Sequence, residues 1–438
     1  MTAGADITVV GGGLLGARVA LLLAARGDRV RLLEAAPTLG GLASAWRLGD
    51  GPDAPTWDRY YHVTLMSDAH TREMLRELGL EEDVVWAAAQ AGVYADGRLV
   101  PCSTPLDYLR LPSLSPAAKV RLALTILAGA AIRDGRKMES QLAADWLRRW
   151  SGREATERFW LPLLRAKLGD NADIASAAFI WATIQRLFKA RRQGVVADKF
   201  GYVPGGYART LDALATRLTE AGVEVRTGCR VSRVRAVEAG GVDVLTDGGD
   251  LHTDRVVLTT AAPLVARLVE GMAPDAHDRY AGVTYQGIVC ASLLLRRPLS
   301  PYYLTYVTDA APFTAVVEMT ALVDRAQLGG HALVYLPRYV PSDDPWLDKD
   351  DDSVRAELLP ALQRIHPQLR QDDVLAFPVA RTRYVMAVPT LGCSDRLPPV
   401  RTGVPGVSAI TSAHLVNATL NVDETLALAD RLLPEAIA

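Results

Sequence analysis

The hydrophobic pattern of this chain opens on a short uncharged, β-branched run, residues 7–10 (ITVV), which reads as a fully buried strand. A glycine cluster follows at once over residues 11–16 (GGGLLG), and residues 17–26 (ARVALLLAAR) carry a broad apolar face that predicts a helix stopped by Gly27. Residues 29–33 (RVRLL) predict a second strand with Glu34 at its tip. Residues 67–78 predict a capped amphipathic helix, 93–100 a hairpin turning at Asp96-Gly97, and 104–193 an almost wholly helical stretch. Strands return at 223–226, 231–234 and 255–261, with a hairpin over 242–252 between them. Runs at 289–295, 302–307, 314–319 and 332–336 alternate or are rich in β-formers, which predicts an antiparallel sheet. A helix over 354–365, a strand over 404–411 and a last helix from Asn421 to Leu433 complete the pattern. Asn421, with Glu424 three residues on, reads as a capping box.

Strand, glycine cluster, helix, strand and acid in that order suit a dinucleotide. Gly11 permits the turn off the strand, Gly13 lets a pyrophosphate approach bare backbone, and Gly16 lets helix and strand pack closely. Leu14 and Leu15 open the helix, whose unpaired N–H groups and positive dipole end favour phosphate. Glu34 stands where an acid takes the ribose hydroxyls, which favours NAD or FAD over NADP. Residues 34–44 (EAAPTLGGLAS) then place a second glycine pair, Gly40-Gly41, just beyond Ala35 and before Leu42 and Ala43. A ligand that runs on past the first turn explains that pair, and a plain NAD site does not.

In these elements the chain resembles the amine-oxidase-like FAD superfamily, nearest to its protoporphyrinogen oxidase and phytoene desaturase branch and related to UDP-galactopyranose mutase. Many members carry Arg on each side of the glycine pair, where this chain has Thr38 and Leu42. Residues 57–62 (WDRYYH) are similar to an FDRFYH element of that branch, and 202–207 (YVPGGY) to an element that precedes the adenine-contacting strand, by position at Val231. The resemblance implies an α/β, two-lobed flavin oxidase fold: a Rossmann-like FAD-binding domain joined to an antiparallel-sheet and helical substrate domain. The boundaries it suggests are 1–100, 200–265 and 375–438 for the FAD-binding domain, 101–199 for a helical lobe and 266–374 for the substrate sheet. It implies FAD as cofactor, with Thr260 on the returning strand and the N-terminus of the last helix, at Asn421, beside the flavin. Relatives often carry Gly-Asp on the final strand; here the segment is Thr411-Ser412-Ala413-His414, which leaves His414 or Ser412 as the substitute for that contact.

The candidate catalytic residues are His62, Tyr61, Lys167 and Glu318. If 57–62 is a strand, Tyr60 and His62 share one face and Tyr61 takes the other. An imidazole there suits proton movement near neutral pH, or serves as a hydrogen-bonded core histidine. Lys167 stands in an apolar surround, where it orders a water at the flavin or is simply a surface residue. Glu318 is the carboxylate inside an apolar strand, either buried with a raised pKa or on an edge facing water. The implied activity is that of an FAD-dependent oxidoreductase taking a hydride at flavin N5 from a C–N, C–O or C–C bond. The alternatives are a redox-neutral mutase acting on a nucleotide sugar and a non-catalytic FAD-binding subunit.

Composition narrows the classes further. With 438 residues, 49% hydrophobic, the chain can bury a large core, and Lys+Arg 48 against Asp+Glu 50 leaves no basic footprint for nucleic acid. Cys102, Cys229, Cys290 and Cys393 are scattered without metal-ligand spacing, so no metal is expected. A first strand starting within the opening residues leaves no room for a signal peptide, and the expected location is cytoplasmic. The most apolar run, residues 122–132, is too short to span a bilayer. It reads as a buried helix, or as an apolar tunnel wall or a peripheral membrane-resting surface.

Overall fold

The computed structural model of the protein describes residues 4–103, 107, 114–192, 199–416 and 418–438, with the side chains of 187–192 left aside. Parts of the expected helical lobe, 104–106, 108–113 and 193–198, lie outside the described residues.

The opening strand Asp6–Val10 lies at the centre of a five-stranded parallel sheet. Its order is Glu224–Arg226, Arg29–Leu33, Asp6–Val10, Arg255–Leu258, Val407–Ala409. Side chains alternate across it. Val9 and Val257 meet the helices Leu14–Ala25 and Val422–Ala436 on one face, while Val10, Val256 and Leu258 meet Val234, Val242 and Val244 of a small antiparallel sheet on the other. This doubly covered parallel sheet is the dinucleotide-type half expected from the glycine cluster.

The second half is built on an eight-stranded sheet whose long strands Tyr285–Leu295 and Ala332–Pro341 pair antiparallel. The helix Asp351–Ile365 covers one face through Val354, Leu358 and Leu362. The other face, with Ile288, Cys290, Val317 and Tyr335, receives Trp57 and Tyr60. Two strand pairings depart from the expected boundaries. The hairpin strands Ala91–Ala95 and Arg98–Pro101 extend this large sheet, through a parallel pairing of Ala91–Ala95 with Leu304–Val307. Val379–Ala387 also joins it, against Tyr285–Leu295. Both segments follow a loop, and hydrophobic pattern alone does not say which of two sheets a strand will complete. The helices Pro116–Ala131, Ala143–Ala155, Leu161–Leu168 and Ala177–Arg192 form a separate core with Val93 and Ala95 of that hairpin.

Candidate active site and cofactor cleft

The glycine corner sorts its residues by what surrounds each one. Gly11 has φ 112° and donates its N–H to the Leu33 carbonyl at 2.8 Å. A Cβ on Gly16 would lie 1.8 Å from the Gly11 carbonyl oxygen, so only glycine lets the helix sit this close. A Cβ on Gly13 would meet nothing nearer than the Gly41 Cα at 4.0 Å. Gly13 therefore faces open space, bounded by the second glycine pair. Gly40 bridges to Gly13 and donates to the Gly12 carbonyl at 2.9 Å, and Gly41 opens a short turn, Gly41–Ala43, in which Ala43 is buried and Leu42 partly exposed. Leu14 and Leu15 anchor the first helical turn in the core.

The acid at the second strand's tip is held rigidly. Glu34 accepts from the Gly12 N–H at 2.6 Å and, on its other oxygen, from the Ala36 N–H at 2.7 Å, with exposed Ala35 between. Each oxygen keeps acceptor capacity for a ribose hydroxyl. The Glu34 carbonyl accepts from the Cys229 N–H at 2.9 Å, which brings Val231, two residues on, to the same end of the cleft. Thr260 follows the adjacent strand with its Oγ1 buried and unpaired.

The last helix reaches the same edge of the sheet. Its C-terminal end lies by the strand starts, where Arg255 donates to the Ile437 carbonyl and Ser408 Oγ to the Ala436 carbonyl at 2.6 Å. Its N-terminus therefore points to the strand ends, as does that of Leu14–Ala25, and the two helices share a core of Leu14, Leu15, Leu426 and Leu428. Asn421 caps it by accepting from the Glu424 N–H at 2.9 Å. Asp423 accepts from the Thr71 N–H at 2.9 Å and ties this end to the helix Ala69–Glu77.

Beside this edge lies a cavity of about 650 Å³. Its walls include Leu142 and Ile174 from the helical half, Met386 to Leu391, and Ser412, Ala413, Leu415, Val416, Ala418 and Leu420 from the segment leading into the last helix. Apolar side chains dominate, with Asp275, Asp278, Arg279 and Arg396 among the charged ones. Met386 faces Gln286 in the large sheet, and two residues on Ile288 faces Tyr339. At that point the structure gathers a polar cluster. Tyr61 and Tyr339 hydroxyls are 2.9 Å apart, and Lys167 Nζ donates to them at 3.1 and 3.5 Å. Burial pushes both phenol pKa values up, so both keep their protons, and the ammonium lies 5.5 and 5.1 Å from their ring centres.

The chain's similarities extend over nearly its whole length. Residues 18–414 match the family model of flavin-containing amine oxidoreductases. The chain belongs to that family. Carotenoid phi-ring synthase of Streptomyces griseus is 28% identical over 84% of this chain and 75% of its own. Coproporphyrinogen III oxidase of Mycobacterium tuberculosis is 26% identical over 93% and 92%. The crystal structure of a putative protoporphyrinogen oxidase from Exiguobacterium superposes with a TM-score of 0.77, at 20% identity, covering 99% of both chains. The protein is an FAD-dependent oxidoreductase of α/β two-domain flavoenzyme architecture. Its cleft fits FAD. Gly13 and Gly41 leave bare backbone where a diphosphate passes, Glu34 retains free lone pairs, and Thr260 Oγ1 lacks a partner that a ligand would supply.

Within this flavoprotein the remaining candidates separate. The expected strand ends early, at Thr56–Asp58, and the chain bends at Arg59 and Tyr60. Strict alternation therefore fails. Tyr60 bonds Thr382 at 2.7 Å and Tyr61 bonds Tyr339, both on the large sheet, whereas His62 packs on Tyr207 at 5.0 Å. His62 Nδ1 is buried, unpaired and 3.9 Å from Asp58 Oδ2, beside a small void of about 20 Å³. Burial lowers the His62 pKa to about 4, and burial raises that of Asp58 to about 7 against the Tyr207 N–H. Both groups are neutral between those values.

Glu318 is buried, with burial raising its pKa to about 7, but it faces away from the tyrosines. Its neighbour Val317 packs with Tyr335 and Tyr60, so Glu318 points to the opposite face of the sheet, where it accepts from the Leu299 N–H at 2.9 Å and from Thr320. It holds a loop, and the edge-facing-water reading fails as well. His414 is also committed. Nδ1 accepts from the Thr411 N–H and Nε2 donates to the Pro398 carbonyl, both at 3.0 Å, which leaves neither nitrogen for a cofactor. Ser412 lines the cavity and bonds the Tyr285 hydroxyl at 3.0 Å. Tyr339 escaped the sequence reading because the strand that carries it was expected to end at 336, whereas it runs Ala332–Pro341.

Proposed function

We propose that this flavoenzyme dehydrogenates an apolar, extended organic substrate, taking a hydride from a C–C bond in preference to a C–N or C–O bond. The observation that carries this reading is the cavity of about 650 Å³ beside the cofactor cleft. Its walls are chiefly Leu142, Ile174, Met386, Val388, Leu415 and Leu420. Such a wall orients a hydrocarbon by shape. The relatives' names agree, being those of a carotenoid ring synthase and a coproporphyrinogen oxidase.

Bound FAD supplies the two-electron acceptor at N5. The chain's own contribution is positional. The Tyr61–Tyr339–Lys167 cluster on the large sheet presents hydrogen-bond donors able to hold a water that receives the departing proton, with Lys167 reaching it from an exposed position. Leu415, Val416, Ala418 and Leu420, with Met386 to Leu391, offer the apolar surface against which such a substrate would lie.

The test is anaerobic mixing of the holoprotein with a polyene, a porphyrinogen and a diamine while flavin absorbance is followed. Bleaching by one of the hydrocarbon-rich substrates supports the reading. Bleaching by the diamine alone contradicts it, as does turnover that requires dithionite-reduced protein and consumes no acceptor.

A further inference from the structure

The chain passes from the parallel-sheet half to the large sheet at Tyr285, the first residue of the strand Tyr285–Leu295. Tyr285 is buried, and its ring packs edge-on against Tyr384, with centres 5.5 Å apart. Its hydroxyl reaches back into the parallel-sheet half. There it accepts from the Ala262 N–H at 3.3 Å and lies 3.0 Å from Ser412 Oγ. Burial raises the phenol pKa, so the group keeps its proton and can accept on one side while donating on the other. Ala262 and Ser412 follow the adjacent parallel strands Arg255–Leu258 and Val407–Ala409, at the sheet edge to which the first and last helices point. A phenol of the substrate half thus joins two turns of the cofactor half.

Each turn leads to a surface that a ligand would meet. Thr259 Oγ1 donates to the Val10 and Gly11 carbonyls at 3.0 and 3.1 Å. The Thr260 methyl lies 3.4 Å from where a Cβ on Gly11 would stand, and Thr260 Oγ1 is buried without a partner among the described residues. Residues 259–262 are therefore pinned to the glycine corner at one end and to Tyr285 at the other. On the second turn, Ser412 and Ala413 line the cavity of about 650 Å³, as do Thr284 and Ala387 beside Tyr285. A bonded and packed path runs from Gly11 through Thr260 and Tyr285 to the cavity wall.

We infer that Tyr285 is a positioning residue for FAD: its hydroxyl fixes the turns at Thr260 and Ser412 relative to each other, and so sets the cofactor against the substrate cavity. The inference holds whichever substrate is oxidised. It is tested with Tyr285→Phe, Ser412→Ala and the double variant, by titrating each FAD-free protein with FAD. Each single variant is expected to bind FAD roughly three- to tenfold more weakly, the usual worth of a lost hydrogen bond. The double variant should lose no more than Tyr285→Phe alone, since the phenylalanine has already removed the bond that Ser412→Ala breaks. Ser412 is only half-buried, so its variant gives a reading even where Tyr285→Phe folds poorly. The visible circular dichroism of the bound flavin should also change in both single variants, because it reports the ring's immediate surroundings. Tyr384→Phe is the comparison. It removes the bond that Tyr384 accepts from Arg267 at 2.8 Å, at the far end of the helix Ala262–Leu268, and should bind FAD as wild type does. Wild-type affinity and dichroism in the two single variants, with only the FAD-free thermal midpoint lowered, would mark a bond that merely holds the fold and overturns the inference. So do losses that add in the double variant, and an equal loss of FAD affinity in Tyr384→Phe.

Discussion

Single residues in this protein are best read by what an added or removed atom would meet. Gly13 and Gly16 are both glycines of one motif, yet their surroundings differ sharply. Gly16→Ala drives a Cβ into the Gly11 carbonyl and is expected to destabilise the folded protein itself by about 1–3 kcal/mol. Gly13→Ala has room in the protein, so the thermal midpoint of the FAD-free form should stay as in wild type. Its FAD affinity should fall roughly tenfold or more, because the methyl occupies the space open to the diphosphate. Calorimetry of the apoproteins with FAD titration separates the two effects. Equal FAD affinity in Gly13→Ala and wild type would contradict the placement.

Asp58 and His62 make a second residue-scale prediction. Asp58 holds its proton in the folded state up to about pH 7, well above the ordinary aspartate value of 3.8, so it lowers stability as pH rises between those values. His62 has a folded pKa of about 4, below 6.5, so it lowers stability as pH falls through that window. The two slopes oppose each other from about pH 4 to 6.5. Asp58→Asn keeps the acceptor for the Tyr207 N–H and removes one slope. Its stability should rise with pH across that window by up to about 1.4 kcal/mol per unit, while wild type stays flatter. Urea unfolding of both proteins over a pH series checks this, and parallel curves would contradict it.

The glycine cluster and Glu34 were legible in the sequence because their chemistry is local, contained in some two dozen consecutive residues. The polar cluster was only half legible. Tyr61 and Lys167 stood out by their surroundings, but their partner Tyr339 is 278 residues from Tyr61 along the chain, and only sheet register brings them together. Glu318 shows the converse. Its burial followed from the apolar run, but the face it takes depends on which neighbour packs on which side.

At the scale of elements, the last helix carries most weight. Asn421 fixes its start and Ser408 and Arg255 hold its end, so its N-terminus is aimed by contacts at both extremities. Asn421→Ala should cost about 1 kcal/mol in chemical denaturation, the usual worth of a side-chain cap. An unchanged denaturation midpoint would show that Asp423 and the packing against Leu14–Ala25 suffice alone. Most elements were legible from periodicity: buried parallel strands as continuous apolar runs, and the long sheet strands as β-rich ones. Sheet membership was not. Ala91–Ala95 and Val379–Ala387 each pair with a partner far away in sequence, a choice made by tertiary packing.

For the molecule as a whole, the central claim is that the first and last helices direct their N-termini at one bound flavin, with an apolar cavity alongside. Leu14 and Leu15 share a core with Leu426 and Leu428, and Ser412, Leu415 and Leu420 help to wall the cavity. The most direct measurement is amide hydrogen exchange of the FAD-free protein before and after FAD is restored. The account predicts slowed exchange in residues 11–16, in the turn around Gly41 and in the first turn of the last helix, all from one binding event. Protection confined to the glycine corner, with the amides after Asn421 exchanging as before, would contradict it.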